Sequence, residues 1–269
     1  MIRRSVSNLA FLSQSPESVG PLLKRHGIEA VELAPTSIWP TFPDVSSEML
    51  GTYLEGWIQE GIVVSGVQSL LFGHPEFQVF DRFSWPGMLD HLCRVIASAS
   101  LLGAEVAVFG SPKNRVRGNL GRHDADQMFA EFLAGLLPVL EDSQVVLTLE
   151  PNAPEYGADY LNTYAEVVKV SDMVDSPWVK PQIDTGCLAM IGEDPARAVR
   201  SRTPTHVHVS APLLGPPPGG IDHGAVNREL NSSGYEGWVV LEMLQLSSSS
   251  KSDFSRHLSW LSETYRLVG

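Results

Sequence analysis

Four ionisable residues occupy the same place in four successive β-rich runs. Gln144–Glu150, Trp178–Asp184, Thr205–Val209 and Gly237–Glu242 carry Glu150, Asp184, His208 and Glu242 at or beside their C-terminal ends. Side chains alternate across a strand, so residues two apart share a face. Thr148 then shares a face with Glu150, Gln182 with Asp184, His206 with His208 and Val240 with Glu242, while Leu147, Leu149, Ile183, Val207 and Leu241 point the other way. Three carboxylates meeting one imidazole away from bulk water repel one another. A divalent cation removes that cost, and hard oxygen donors with one imidazole suit Mn2+ first, with Mg2+, Co2+ or Zn2+ as alternatives. A single acid closing a strand is ordinarily a loop or helix cap. Four consecutive runs with matching parity instead predict ligands of one divalent metal ion. His206 lies deeper and is expected to bond a neighbour within its layer.

Bringing four strand ends to one place requires a continuous sheet. Four further β-rich runs, Ile2–Leu9, Gly27–Leu33, Ile62–Gln68 and Gly103–Gly110, precede the four already described. Between the runs, Ser15–His26, Ser46–Glu60, Trp85–Leu102, Asp124–Leu140 and Asp159–Val174 carry apolar residues at helical spacing. Asp194–Arg202 leaves room for only a short helix. Strands that alternate with helices predict an α/β fold, here a single (β/α)8 TIM barrel over residues 1–269. The length fits, since such barrels run to about 250 residues. A doubly wound sheet is the competing architecture, but no Gly-x-Gly-x-x-Gly or Walker loop follows any run. Phe72–Trp85 and the Pro- and Gly-rich Ala211–Asp222 are too long for minimal turns and belong on the catalytic face of a barrel. Ser247–Ser250 reads as a flexible loop before a last helix.

Composition narrows the function. The chain is 43% hydrophobic, enough for a large core, and carries 19 Lys plus Arg against 31 Asp plus Glu, for a formal charge of −12. That balance disfavours nucleic acid and anionic membrane as partners, and no continuous apolar run is long enough to span a bilayer. Two cysteines without a CxxC pair suggest a reducing compartment, so a cytoplasmic protein with a small-molecule substrate is expected.

The residues also resemble a family. Leu149-Glu150-Pro151-Asn152, Ile183-Asp184-Thr185-Gly186, His206-Val207-His208-Val209-Ser210 and Gly234-Tyr235-Glu236-Gly237-Trp238-Val239-Val240-Leu241-Glu242-Met243 are similar to the xylose isomerase-like TIM barrels. That group includes sugar (phosphate) isomerases and epimerases, among them D-tagatose 3-epimerase and inosose dehydratase. The resemblance implies that Glu150, Asp184, His208 and Glu242 bind the metal, and that Glu150 and Glu242 also move protons through a metal-bound enediolate. The implied activity is a metal-dependent isomerase or epimerase of a sugar or other small hydroxy-carbonyl compound, with relatives commonly forming dimers or tetramers. Dehydration of a keto-inositol-like substrate and a non-catalytic, degenerate barrel are the alternatives. Apurinic endonuclease barrels share the superfamily, but the acidic charge and the missing extra ligand pairs argue against that activity. The chain departs from the sugar epimerases at Cys187, where they often have histidine, and at Ala211-Pro212-Leu213-Leu214, where they often have arginine.

Six residues are expected to touch substrate. Glu32 ends the second run and either bonds substrate or is a solvated loop charge. Arg115 follows the fourth run and either offers its planar fork to an anion or lies exposed. Phe72 and Tyr156 are candidate pocket walls, and His223, directly after Asp222, is a candidate contact or a loop hydrogen-bonding residue. Cys187 is read as a small pocket-lining residue rather than a nucleophile, because nothing in its sequence context lowers the thiol pKa.

Overall fold

Eight short parallel strands pair in chain order, and the last returns to the first to close a barrel. They are β1 (Arg3–Ser7), β2 (Ala30–Leu33), β3 (Val63–Val67), β4 (Val106–Phe109), β5 (Val146–Leu149), β6 (Val179–Asp184), β7 (His206–Val209) and β8 (Trp238–Leu241). The computed structural model describes residues 2–245 and 251–267. The expected loop Ser247–Ser250 lies outside the described residues.

Helices cover the outside: α1 (Pro16–Arg25), α2 (Ser47–Gln59), α3 (Trp85–Leu101), α4 (Arg122–Ala134), α5 (Leu137–Ser143), α6 (Tyr164–Val174), α7 (Thr185–Met190), α8 (Pro195–Ser201), α9 (His223–Ser232) and α10 (Lys251–Thr264). The single helix expected over Asp124–Leu140 is split into α4 and α5. Pro138 lacks an N–H and its ring would meet the carbonyl of Ala134, so a continuous helix cannot pass it. The segment expected from Asp159 becomes helical only at Tyr164, where Thr163 and Glu166 form a reciprocal capping box. Asp159 instead accepts the backbone N–H groups of Arg117 and Gly118 at 2.6 and 3.0 Å, tying the loop after β4 to the loop after β5. A short helix absent from the sequence reading, α7, follows β6 directly because the Asp184 side chain caps it through the N–H of Cys187 at 2.6 Å.

The two faces of the barrel wall differ sharply. Outward residues Leu147, Leu149, Ile183, Val207, Val209, Val239 and Leu241 are fully buried in the core under the helices. The interior is largely polar: Ser5 Oγ lies 2.7 Å from Ser65 Oγ, and Thr148 donates to Gln182 Oε1 at 2.5 Å. Register pairs Gln182 with His206, Asp184 with His208, and His208 with Val240. Inward side chains of β6 and β7 therefore stand level, with the ionisable pair one layer above Gln182 and His206.

Candidate metal centre

At the C-terminal mouth of the barrel, Glu150, Asp184, His208 and Glu242 are all buried, and one ligand atom from each lies within 4.8 Å of the others. His208 Nδ1 sits 2.8 Å from Glu150 Oε1 and 3.1 Å from Glu242 Oε2. Both approaches are ionic rather than aligned hydrogen bonds, since Nδ1 is buried without a hydrogen-bond partner. An orphaned imidazole nitrogen facing carboxylate oxygens is the arrangement a cation completes. With metal–ligand bonds of about 2.0–2.2 Å, donors across an ion are separated by up to roughly 4.4 Å, close to the spread observed. The donor set fits one divalent ion.

The electrostatics agree. Burial, then the charges of Glu242 and Glu150, push the Asp184 carboxyl up to about 8. Burial opposes charge on His208, but the carboxylates of Glu242, Glu32 and Glu150 override it and raise its pKa well above the imidazole range. Burial likewise opposes ionisation of Glu150, yet its pKa is lowered by the close approach and charge of His208, with help from Asn152 and Arg115. Positive charge is demanded at the centre of this group.

Glu150, Asp184 and His208 are held from behind. Gln182 Nε2 donates to Glu150 Oε1 at 2.9 Å, and Asn152 Nδ2 donates to Glu150 Oε2 at 2.8 Å. Ser210 Oγ donates to Asp184 Oδ1 at 2.8 Å. Glu32 accepts from His206 Nε2 at 2.7 Å through one oxygen and from His208 Nε2 at 2.8 Å through the other. Burial would raise the pKa of Glu32, but the two histidines bring it down to about 2. An ionised carboxylate is acceptor-only, so both Nε2 atoms carry hydrogen and Nδ1 of His208 is left as the donor atom for a metal.

The cavity above the four residues measures about 210 Å³, and its lining includes Tyr156 and Cys187 together with Glu150, Asp184, His208 and Glu242. Four expected contacts lie elsewhere. Glu32 is fully buried and engaged with the two histidines, so it is neither a loop charge nor on the cavity surface. Phe72 is 70% exposed and does not line the cavity. His223 is buried at the start of α9, bonded to the Tyr265 hydroxyl at 2.7 Å and facing Pro218 O. Arg115, expected to meet an anion or solvent, is instead fully buried beneath β5. Its Nη2 donates to the Glu150 carbonyl at 3.1 Å and to Asn152 Oδ1, and burial lowers its pKa to about 10. Gln68, Asn152 and Ser210 were not singled out from the sequence. Asn152 and Ser210 carry a signal, each standing two residues beyond a ligand (Glu150 and His208), and Gln68 directly follows β3 without an ionisable group to mark it.

A family model described as xylose isomerase-like TIM barrel matches residues 21–264. The chain belongs to this family. No curated protein matches the sequence. Among solved structures, the xylose isomerase-like chain is similar to D-psicose 3-epimerase, at 16% identity and a TM-score of 0.78, covering 98% of this chain and 99% of that one. It is also similar to a 3-keto-D-glucoside 4-epimerase from E. coli, at 18% identity and TM-score 0.74, covering 97% and 99%. A third is an IOLI protein with a bound zinc atom, at 14% identity and TM-score 0.70, covering 98% and 95%. At these identities the likeness is one of fold. Among the described residues no helix is long and apolar enough to cross a membrane.

Proposed function

We propose that this xylose isomerase-like barrel is a divalent-metal-dependent isomerase or epimerase of a sugar or other small hydroxy-carbonyl compound, with Mn2+ as the preferred ion. The observation that carries the reading is the convergence of three carboxylates on an unpartnered, buried imidazole nitrogen at one barrel mouth. Glu150, Asp184, His208 and Glu242 would hold the ion, which when bound supplies the Lewis acidity that polarises a carbonyl and acidifies the adjoining C–H.

The remaining chemistry belongs to the side chains. Glu150, just after β5, and Glu242, just after β8, both bring an oxygen to His208 Nδ1, so two carboxylates stand beside the place where a metal-held substrate would react. Glu150 is fixed through both oxygens by Gln182 and Asn152, so it presents a constant orientation to a substrate carbon. One carboxylate removes the proton and the other returns one. Return to the opposite face of the same carbon inverts it, and return to the neighbouring carbon isomerises the compound. Burial of the group excludes water that would compete for the proton.

The test has two stages. Mn2+ should raise the melting temperature of the purified protein. Incubation with hydroxy-ketones in deuterated water should then place deuterium at the epimerised or isomerised carbon. Glu150→Gln and Glu242→Gln should each slow that exchange by about 10²-fold or more. Wild-type exchange in both variants would remove the proton-transfer roles, and loss of water from the product would favour the dehydratase alternative.

A further inference from the structure

The cavity at the barrel mouth has two unlike sides. Just beyond β3, Gln68 lines it while being only 3% exposed, and its Oε1 is buried and accepts no hydrogen bond. Closed to water, that oxygen is equally closed to a ligand hydroxyl of the same size, so Gln68 meets the cavity through its other atoms. The opposite arc, served by the loops after β5, β6 and β7, presents Tyr156, Cys187 and Leu214.

Leu214 reaches that wall at an energetic cost in the backbone. Leu213 and Leu214 have φ of 60° and 55°, two successive left-handed residues of a type that avoids this region. The turn is pinned by hydrogen bonds from Leu244 N–H to Leu214 O at 2.9 Å and from Ala211 N–H to Gly215 O at 3.1 Å. Strain retained under such constraint marks a functional segment. Here its product is an alkyl side chain facing the reaction site.

Among the described residues the cavity lining has one basic side chain. It is His208, whose Nε2 is held by Glu32 and whose Nδ1 faces the oxygens of Glu150 and Glu242, so it is not turned to an anionic ligand group. Arg115 is shut beneath Glu150. Three carboxylates outnumber a dication, so the mouth remains repulsive to phosphate. At about 210 Å³ the cavity is also smaller than the roughly 300–1,000 Å³ of drug-sized sites.

Resting on the metal-site reading above, we propose that the cavity selects a small, uncharged α-hydroxy carbonyl compound with an apolar arm. The arm lies on Leu214 and the Tyr156 ring beside Cys187. A polyhydroxylated arm turned to that wall exchanges water for a single phenol hydroxyl and leaves most of its hydroxyls without partners, which is how such sites discriminate.

Hydroxamates present adjacent oxygens in the same way and do not react, so calorimetry on the Mn2+-loaded protein can read binding alone. A butyl-armed hydroxamate with an α-hydroxyl should bind at least tenfold tighter than one with a polyhydroxylated arm of equal length. Leu214→Asn is nearly isosteric and tolerates the left-handed backbone, so it keeps the fold and should erase that preference. Equal or tighter binding of the polyhydroxylated ligand, or an unchanged ratio in Leu214→Asn, overturns the substrate class while the metal site stands. Failure to take up Mn2+ overturns the metal-site reading and this proposal together, whereas binding of neither hydroxamate by loaded protein overturns this proposal alone.

Discussion

Glu32→Gln separates orientation of the metal ligand from ligation itself. Glu32 touches no cavity and would not contact an ion, yet its carboxylate fixes the protonated nitrogen of both His206 and His208 at 2.7 and 2.8 Å. An amide keeps one acceptor oxygen but presents N–H groups where the second oxygen stood. One histidine must then move its proton to Nδ1 or lose its partner. If His208 changes tautomer, its Nδ1 lone pair is no longer offered to a metal. Partners that orient a ligating histidine are typically worth about 10–100-fold in metal affinity, or roughly 1.4–2.7 kcal/mol. Because all three groups are fully buried, the change should also lower stability by about 3 kcal/mol. Mn2+ affinity by calorimetry at fixed pH, with urea unfolding in chelator, measures the two effects separately. Glu32→Leu leaves His208 no acceptor whichever histidine the amide would serve, so wild-type Mn2+ affinity in folded Glu32→Gln and Glu32→Leu proteins alike would refute the tautomer argument.

Two further predictions concern the scaffold. Burial lowers the His223 pKa from 6.5 to about 4, so between those values the unfolded chain binds a proton that the folded chain refuses. Its contribution is complete above pH 6.5 and is lost as pH falls towards 4, by at most about 3 kcal/mol. His223→Gln should flatten that part of the stability profile in urea titrations, and an unchanged slope would place the acid sensitivity elsewhere. Gly186 begins the turn into α7, and a Cβ there would lie 2.6 Å from the Ala211 carbonyl oxygen. Gly186→Ala should therefore cost about 1–3 kcal/mol and disturb the Leu214 turn, read as a lower melting temperature and weaker binding of the butyl hydroxamate. A melting temperature equal to wild type would show that β6 and the loop after β7 can part freely.

Much of the barrel was legible because its signals are local. Period-two alternation places Glu150, Asp184, His208 and Glu242 on inward faces at one end of four strands, and equivalent parallel strands leave few ways to arrange those ends. Pro138 and the Thr163–Glu166 pair also announce helix boundaries in the sequence, although the expected segments Asp124–Leu140 and Asp159–Val174 run through both. Arg115 shows the limit. Its position after β4 is consistent with an anion contact, but its burial is decided by Asn152 and the Glu150 carbonyl, which approach from another strand.

The sequence by itself determined the α/β repeat, the strand parity and the set of side chains able to meet at the mouth, because each depends on spacing within a single strand. Tertiary structure alone decided that Glu32 braces two histidines 174 and 176 residues away, that Gln68 is left with an unpartnered acceptor, and that Leu214 closes the far wall. Those outcomes depend on which strands become neighbours across a closed barrel and on loop conformations held by distant hydrogen bonds, and neither is encoded in local periodicity.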